Sequence, residues 1–116
     1  MNECIIWHNP RCAKSRAGLK YLLDRGIEPR IVKYLDEPPS EETLGALLGM
    51  LGISARGLMR TKEPLYRELG LKEIDDEKLL IAAMAEHPKL IERSVVIYGN
   101  RAVIARPAEA VEKLLN

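Results

Sequence analysis

Phenylalanine is absent from the sequence and tryptophan occurs once, as Trp7. A platform for stacking unpaired bases needs several aromatic faces, so with no Phe and one Trp that class of nucleic-acid binder is not expected. Neither charge is in excess, because 18 basic and 17 acidic residues leave a net charge of +1. That balance does not suit a protein built to coat a polyanion or an anionic membrane, although a few local arginines suffice for one small anion. No apolar run approaches the length of a membrane span, and no basic N-terminal region followed by an apolar core marks a secretory signal. Cysteine and histidine occur twice each, as Cys4, Cys12, His8 and His87. Their scattered spacing matches no zinc pattern, and one cysteine pair does not staple a secreted domain. The expectation is a cytoplasmic protein without a metal site.

What remains is ordinary for a globular domain: 47% hydrophobic and 30% charged residues over 116 positions, enough for one core. The apolar run Glu3–His8 ends at Asn9-Pro10 and reads as a buried strand. Leu19, Leu22 and Leu23 have helical spacing, with Gly26 as a stop, and Arg30–Leu35 reads as a second strand. A β-α-β unit of this kind places its strands parallel with a right-handed crossover. After Pro38-Pro39, Ser40 is positioned to cap a helix whose stripe is Leu44, Leu47, Leu48 and Leu51, closed by Gly52.

Ile53–Met59 predicts another short helix, Leu65–Leu69 one more turn, and Asp75–Glu86 a further helix ended by His87-Pro88. The period then changes. Val95–Tyr98 and Arg101–Ile104 flank Gly99-Asn100, a two-residue hairpin signal, and Pro107 is expected to open a last helix with Ala108, Val111 and Leu115 inward. The order β-α-β, then helices, then β-β-α is that of an α/β thioredoxin-like fold with a mixed four-stranded sheet. It predicts a single domain over 1–116, with a core of 1–36 and 90–116 and a helical insert at 37–89.

The segment His8-Asn9-Pro10-Arg11-Cys12-Ala13-Lys14-Ser15-Arg16 falls at the first β-α turn. A helix that starts there offers free N–H groups and a positive dipole end, which favour a thiolate over a thiol. Lys14, Arg16 and His8 are candidates to add positive potential, and Ser15 is placed to donate a hydrogen bond to the sulfur. The pattern Cys12-x-x-Ser15 lacks the second thiol of a Cys-x-x-Cys couple, so any disulfide cycle takes its resolving thiol from elsewhere. An ordinary cysteine filling a turn is the competing reading. A phosphatase loop is excluded, because it requires arginine six positions after the cysteine and Gly18 stands there. Cys4, in mid-strand, is expected in the core, and His87 is expected to be structural. Taken singly, Arg60, Arg93 and Arg106 read as surface arginines.

Five blocks change that reading: HNPRCAKSR, YLDEPPSEETL, RTKEPLYRELGL, HPKLIERSVV and ARPAEAVEKLL. In order and spacing they resemble the glutaredoxin-coupled arsenate reductase family, over nearly the whole chain. The resemblance implies Cys12 as catalytic nucleophile, His8 and Ser15 as thiolate-assisting residues, and Arg60, Arg93 and Arg106 as oxyanion-binding residues. It implies arsenate as substrate, glutathione as co-substrate and glutaredoxin as reductant, with no bound cofactor, no nucleic acid and no membrane. The family has a proline with a cis bond where this chain has Ser94. A cis bond before a non-proline residue costs about 3 kcal/mol, so a trans bond and a displaced Arg93 are expected. That difference favours a second reading, a thiol oxidoreductase acting on another electrophile or a protein disulfide; a third is a regulator of the Spx type, which shares this fold but whose usual second thiol is absent here.

Overall fold

The computed structural model describes residues 3–115. They divide into two compact units, one formed by residues up to Glu37 together with those from Arg93 onward, the other by Pro38–Glu92.

The first unit is built on strands β1 (Cys4–Trp7), β2 (Arg30–Val32), β3 (Val95–Tyr98) and β4 (Arg101–Ile104), with helices α1 (Ala13–Asp24) and α6 (Glu112–Leu115). The four-stranded sheet has the order β2-β1-β3-β4. β1 runs parallel to β2 and antiparallel to β3, and β3 turns back into β4, which makes the expected mixed sheet. Gly99 supplies the positive φ, 64°, that the two-residue turn requires. Strand alternation sends Cys4 and Ile6 to one face, where they pack with Leu22 of α1, Val96, Ala105, Val111 and Leu114. Leu22 is fully buried, so truncating it to alanine removes about 2–5 kcal/mol. Trp7 is buried and stacks on Tyr34, their ring centroids 6.4 Å apart.

Several expected boundaries move. The second strand covers three residues rather than Arg30–Leu35, because the N–H groups of Asp36 and Glu37 both donate to the Lys33 carbonyl and close a turn. On α1 the buried stripe is Ser15, Gly18 and Leu22, which leaves Leu23 outside it and 51% exposed. Pro107 stands before the closing helix rather than opening it: its backbone is extended, and a 3₁₀ turn over Ala108–Val111 leads into α6. The expected trans bond at Arg93–Ser94 is corrected as well, since it is cis. Tertiary pairing holds this segment: Ser94 is fully buried, its carbonyl accepts the Ala105 N–H at 2.8 Å, and Val95 is paired with both Trp7 and Ile104.

The second unit holds α2 (Glu41–Leu51), α3 (Ala55–Leu58), α4 (Pro64–Glu68) and α5 (Glu77–Glu86). Ser40 caps α2 by accepting the Thr43 N–H at 3.1 Å, and Gly52 ends it in the left-handed conformation. α2 packs on α5 through a core that includes Leu44, Leu47, Leu80 and Met84. Arg56 pins the α4 region from below. Its guanidinium donates to the Tyr66 hydroxyl and to the carbonyls of Leu71 and Ile74. Among the described residues no helix is long and apolar enough to cross a membrane.

Candidate active site

Register alone gathers the candidate residues of the first unit at one end of the sheet. Trp7 pairs with Val95, and Val95 with Ile104. One step beyond those pairs stand His8 at the end of β1, Ser94 before β3 and Ala105 after β4. Arg93 and Arg106 come next, on the two arms of the hairpin's open end. The loop His8–Cys12 starts from this same end and delivers Cys12 as the N-cap of α1. Cys12 is a free, partly exposed thiol, whereas Cys4 is a free, buried one. No first-turn N–H is capped by the Cys12 side chain, so the amides and dipole of the helix start remain for charge at the sulfur.

The loop is held by side chains that bond to each other. Ser15 is fully buried on the first turn of α1; its Oγ accepts the Asn9 N–H at 2.9 Å and lies 2.8 Å from His8 Nδ1. The Ser15 hydroxyl thereby ties the His8 ring to the backbone of the loop. Burial pushes the His8 pKa down, the charges of Lys33 and Arg16 add to that, and the bond to Ser15 opposes it. His8 therefore acts through position rather than through a positive charge. Asn9 Oδ1 accepts the Arg11 N–H at 3.0 Å, and the Arg16 guanidinium donates to the Pro10 carbonyl at 2.8 Å, which closes the loop from both sides. Burial raises the pKa of the Cys4 thiol, which keeps it protonated and inert.

The three arginines differ in setting. Arg93 Nε is buried and has no hydrogen-bond partner among the described residues, which leaves a donor aimed at nothing in the protein. Arg106 is exposed, and its N–H donates to the Ile104 carbonyl at 2.8 Å. Arg60 belongs to the second unit, where its guanidinium contacts Glu63 at 3.3 Å and donates to the Lys89 carbonyl at 3.3 Å. The structure thus brings His8 and Ser15 into contact and sets Cys12, Arg93 and Arg106 at one sheet end.

Comparison with known proteins bears on what such a site serves. A sequence profile of the ArsC family matches residues 7–114. The chain belongs to the ArsC family. An arsenate reductase of Neisseria meningitidis is 48% identical over 99% of this chain and all of its own length. An arsenate reductase of Escherichia coli is 41% identical over 99% of this chain and 82% of its own. Among solved structures, an arsenate reductase from Vibrio cholerae superposes with a TM-score of 0.94 at 46% identity, covering 97% of both chains. The ArsC-family fold is thioredoxin-like, as the element order predicts.

Two features of the site lay outside the sequence reading. Asn9 looked like a turn marker only, although its amide anchors Ser15. Gly18, a glycine inside a helical pattern, carried the usual signal of a close approach. A Cβ there would lie 2.6 Å from Ser94 Oγ, so α1 sits against the start of β3 with no room for a methyl group.

Proposed function

We propose that this protein reduces arsenate to arsenite in the cytoplasm, with Cys12 as the nucleophile, glutathione as the second thiol and glutaredoxin as the regenerating reductant. The observation that carries this reading is the buried, unpartnered Arg93 Nε at the sheet end that also presents Cys12. A guanidinium donor of this kind suits a tetrahedral oxyanion, whose oxygen pairs match its planar fork. The family membership and the named relatives support the same substrate.

In the first step Cys12 sulfur bonds to arsenic and one arsenate oxygen leaves as water, taking the thiol proton and one further proton from the acid. The product is a Cys12–S–As(V) ester. The glutathione sulfur then bonds to Cys12 sulfur, the S–As bond breaks, and its electron pair passes to arsenic. Glutathione's proton goes to an arsenic-bound oxygen, which releases arsenite and leaves a Cys12–glutathione disulfide for glutaredoxin to reduce. Ser15 and His8 hold the loop that presents Cys12, and Arg93 and Arg106 neutralise the anion. Arg60 carries the same role by sequence resemblance.

The test is arsenite formation with glutathione and glutaredoxin supplied. Cys12→Ser abolishes it, and Cys4→Ser leaves it largely intact. Wild-type protein that makes no arsenite overturns the substrate. Glutathionylation of Cys12 without arsenate turnover would assign the same thiol to another electrophile.

A further inference from the structure

Beside the first turns of α1, the first unit has a cavity of about 390 Å³ lined by Lys14, Ala17, Ala105, Arg106, Pro107 and Ala108. That volume lies in the range of small-molecule sites. Its composition is one-sided. The two ionisable residues are both cations, and the other four offer methyl groups, a proline ring and backbone. Lys14 is exposed and has no ion-pair partner among the described residues. A cavity with apolar walls and cationic edges selects a ligand that has a short uncharged body and carboxylates at its ends. A bare tetrahedral oxyanion has no use for apolar walls, and a cation is repelled.

Position adds to chemistry. Lys14 and Ala17 lie one turn apart on α1, whose N-cap is Cys12, so the cavity flanks the start of that helix, and Arg106 brings it to the sheet end that also carries Arg93. Ser15 occupies the place a second thiol would take and is committed to His8 and Asn9, so a resolving sulfur has to be brought in. We propose that this cavity seats the resolving thiol: a short peptide thiol with a carboxylate on Lys14 and its backbone against Ala17, Pro107 and Ala108, which leaves Arg106 to the oxyanion. This inference rests on the reading that Cys12 forms an adduct resolved by an outside thiol.

The test uses S-methylglutathione, which binds as the peptide would but has no free sulfur to react. Amide chemical shifts of Lys14, Ala17 and Ala108 are followed on titration into wild-type, Ala17→Glu and Ala17→Lys protein. Ala17 is exposed on α1, so both variants are tolerated by the fold, and they add similar bulk with opposite charge. Wild type shifts at these amides; Ala17→Glu weakens binding and raises the KM for glutathione about tenfold, while Ala17→Lys retains or improves both. The KM for arsenate, whose site includes the neighbouring Arg106, moves less than the KM for glutathione in each variant. Equal losses in both variants, a matching rise in the arsenate KM, or shifts of the same amides by inorganic phosphate alone overturns the proposal. Normal arsenate turnover with no response of the glutathione KM overturns the cavity assignment and leaves the reaction standing. Binding of S-methylglutathione here by a protein that does not reduce arsenate upholds the cavity and overturns the reaction.

Discussion

Gly18→Ala is the substitution in which the structure makes its sharpest commitment. A methyl group at this position lies 2.6 Å from Ser94 Oγ and 3.4 Å from Ala105 Cβ. The second distance is tolerable; the first is well inside the ~3.5 Å of an optimal contact. Ser94 is fully buried and its backbone is fixed by the Ala105 hydrogen bond, so the hydroxyl has no solvent to swing into. Overpacking of this kind costs up to about 3 kcal/mol, against which alanine gains about 1 kcal/mol over glycine in a helix. The net loss is about 2 kcal/mol, or roughly 8 °C in melting temperature for a domain of this size.

Ser94→Ala goes the other way. It removes a buried hydroxyl that has no hydrogen-bond partner among the described residues, and should stabilise by about 1 kcal/mol. In the double variant the clash disappears and the helix keeps its alanine, so stability rises about 2 kcal/mol above wild type. The coupling energy of the cycle is then about 3 kcal/mol. Urea denaturation followed by circular dichroism measures all four proteins. A coupling energy below about 0.5 kcal/mol, or Gly18→Ala protein as stable as wild type, refutes the reasoning.

Three further outcomes are expected. Iodoacetamide at neutral pH labels Cys12 and spares Cys4, since Cys12 is partly exposed and Cys4 is buried with its thiol pKa raised; peptide mass spectrometry reads the ratio, and equal labelling contradicts it. The folded state holds the His8 pKa below its ordinary value of 6.5, so the unfolded chain binds the proton more readily. Its contribution to stability is complete above pH 6.5 and is lost as pH falls through the folded value; His8→Gln should flatten that part of the denaturation profile. Arg56→Ala leaves the Leu71 and Ile74 carbonyls and the Tyr66 hydroxyl without this donor and should lower stability by about 2–3 kcal/mol, while arsenite formation by the folded fraction measures whether the site is touched.

The sequence was most legible where local chemistry and tertiary demand agree. Ser40 and Gly52 delimit α2 as their types predict, and Gly99-Asn100 turns the β3-β4 hairpin, because caps and tight turns depend on a few neighbouring atoms. Cys12 at the start of α1 was readable for the same reason. Legibility failed where a distant contact decides. Leu23 has helical spacing with Leu19 and Leu22, yet the buried stripe follows Ser15, Gly18 and Leu22 because α1 is seated on Ser94 and Ala105. The Arg93–Ser94 bond was expected trans from intrinsic preference, and pairing with both β1 and β4 sets it otherwise. Ser15 was matched to the Cys12 sulfur by spacing, whereas its bonds run to His8 and Asn9, whose proximity only the sheet register provides.

Arg93 Nε and Ser94 Oγ are the two buried side-chain polar atoms without a partner among the described residues, and they are consecutive. Each carries a desolvation penalty of about 1–3 kcal/mol, and the two serve different ends. Ser94 turns its hydroxyl inward against Gly18, where it limits how closely α1 approaches the sheet and no ligand reaches it. Arg93 keeps a charged donor at the sheet end beside the α1 start, a place that packing alone would fill with an apolar side chain. In the proposed function this donor, already stripped of water, has no hydration left to lose to an anion, and its burial requires a small shift of the side chain to meet one. The penalty therefore falls on folding rather than on binding. In the proposed function that division suits a small, strongly hydrated oxyanion, which must surrender its own water to bind.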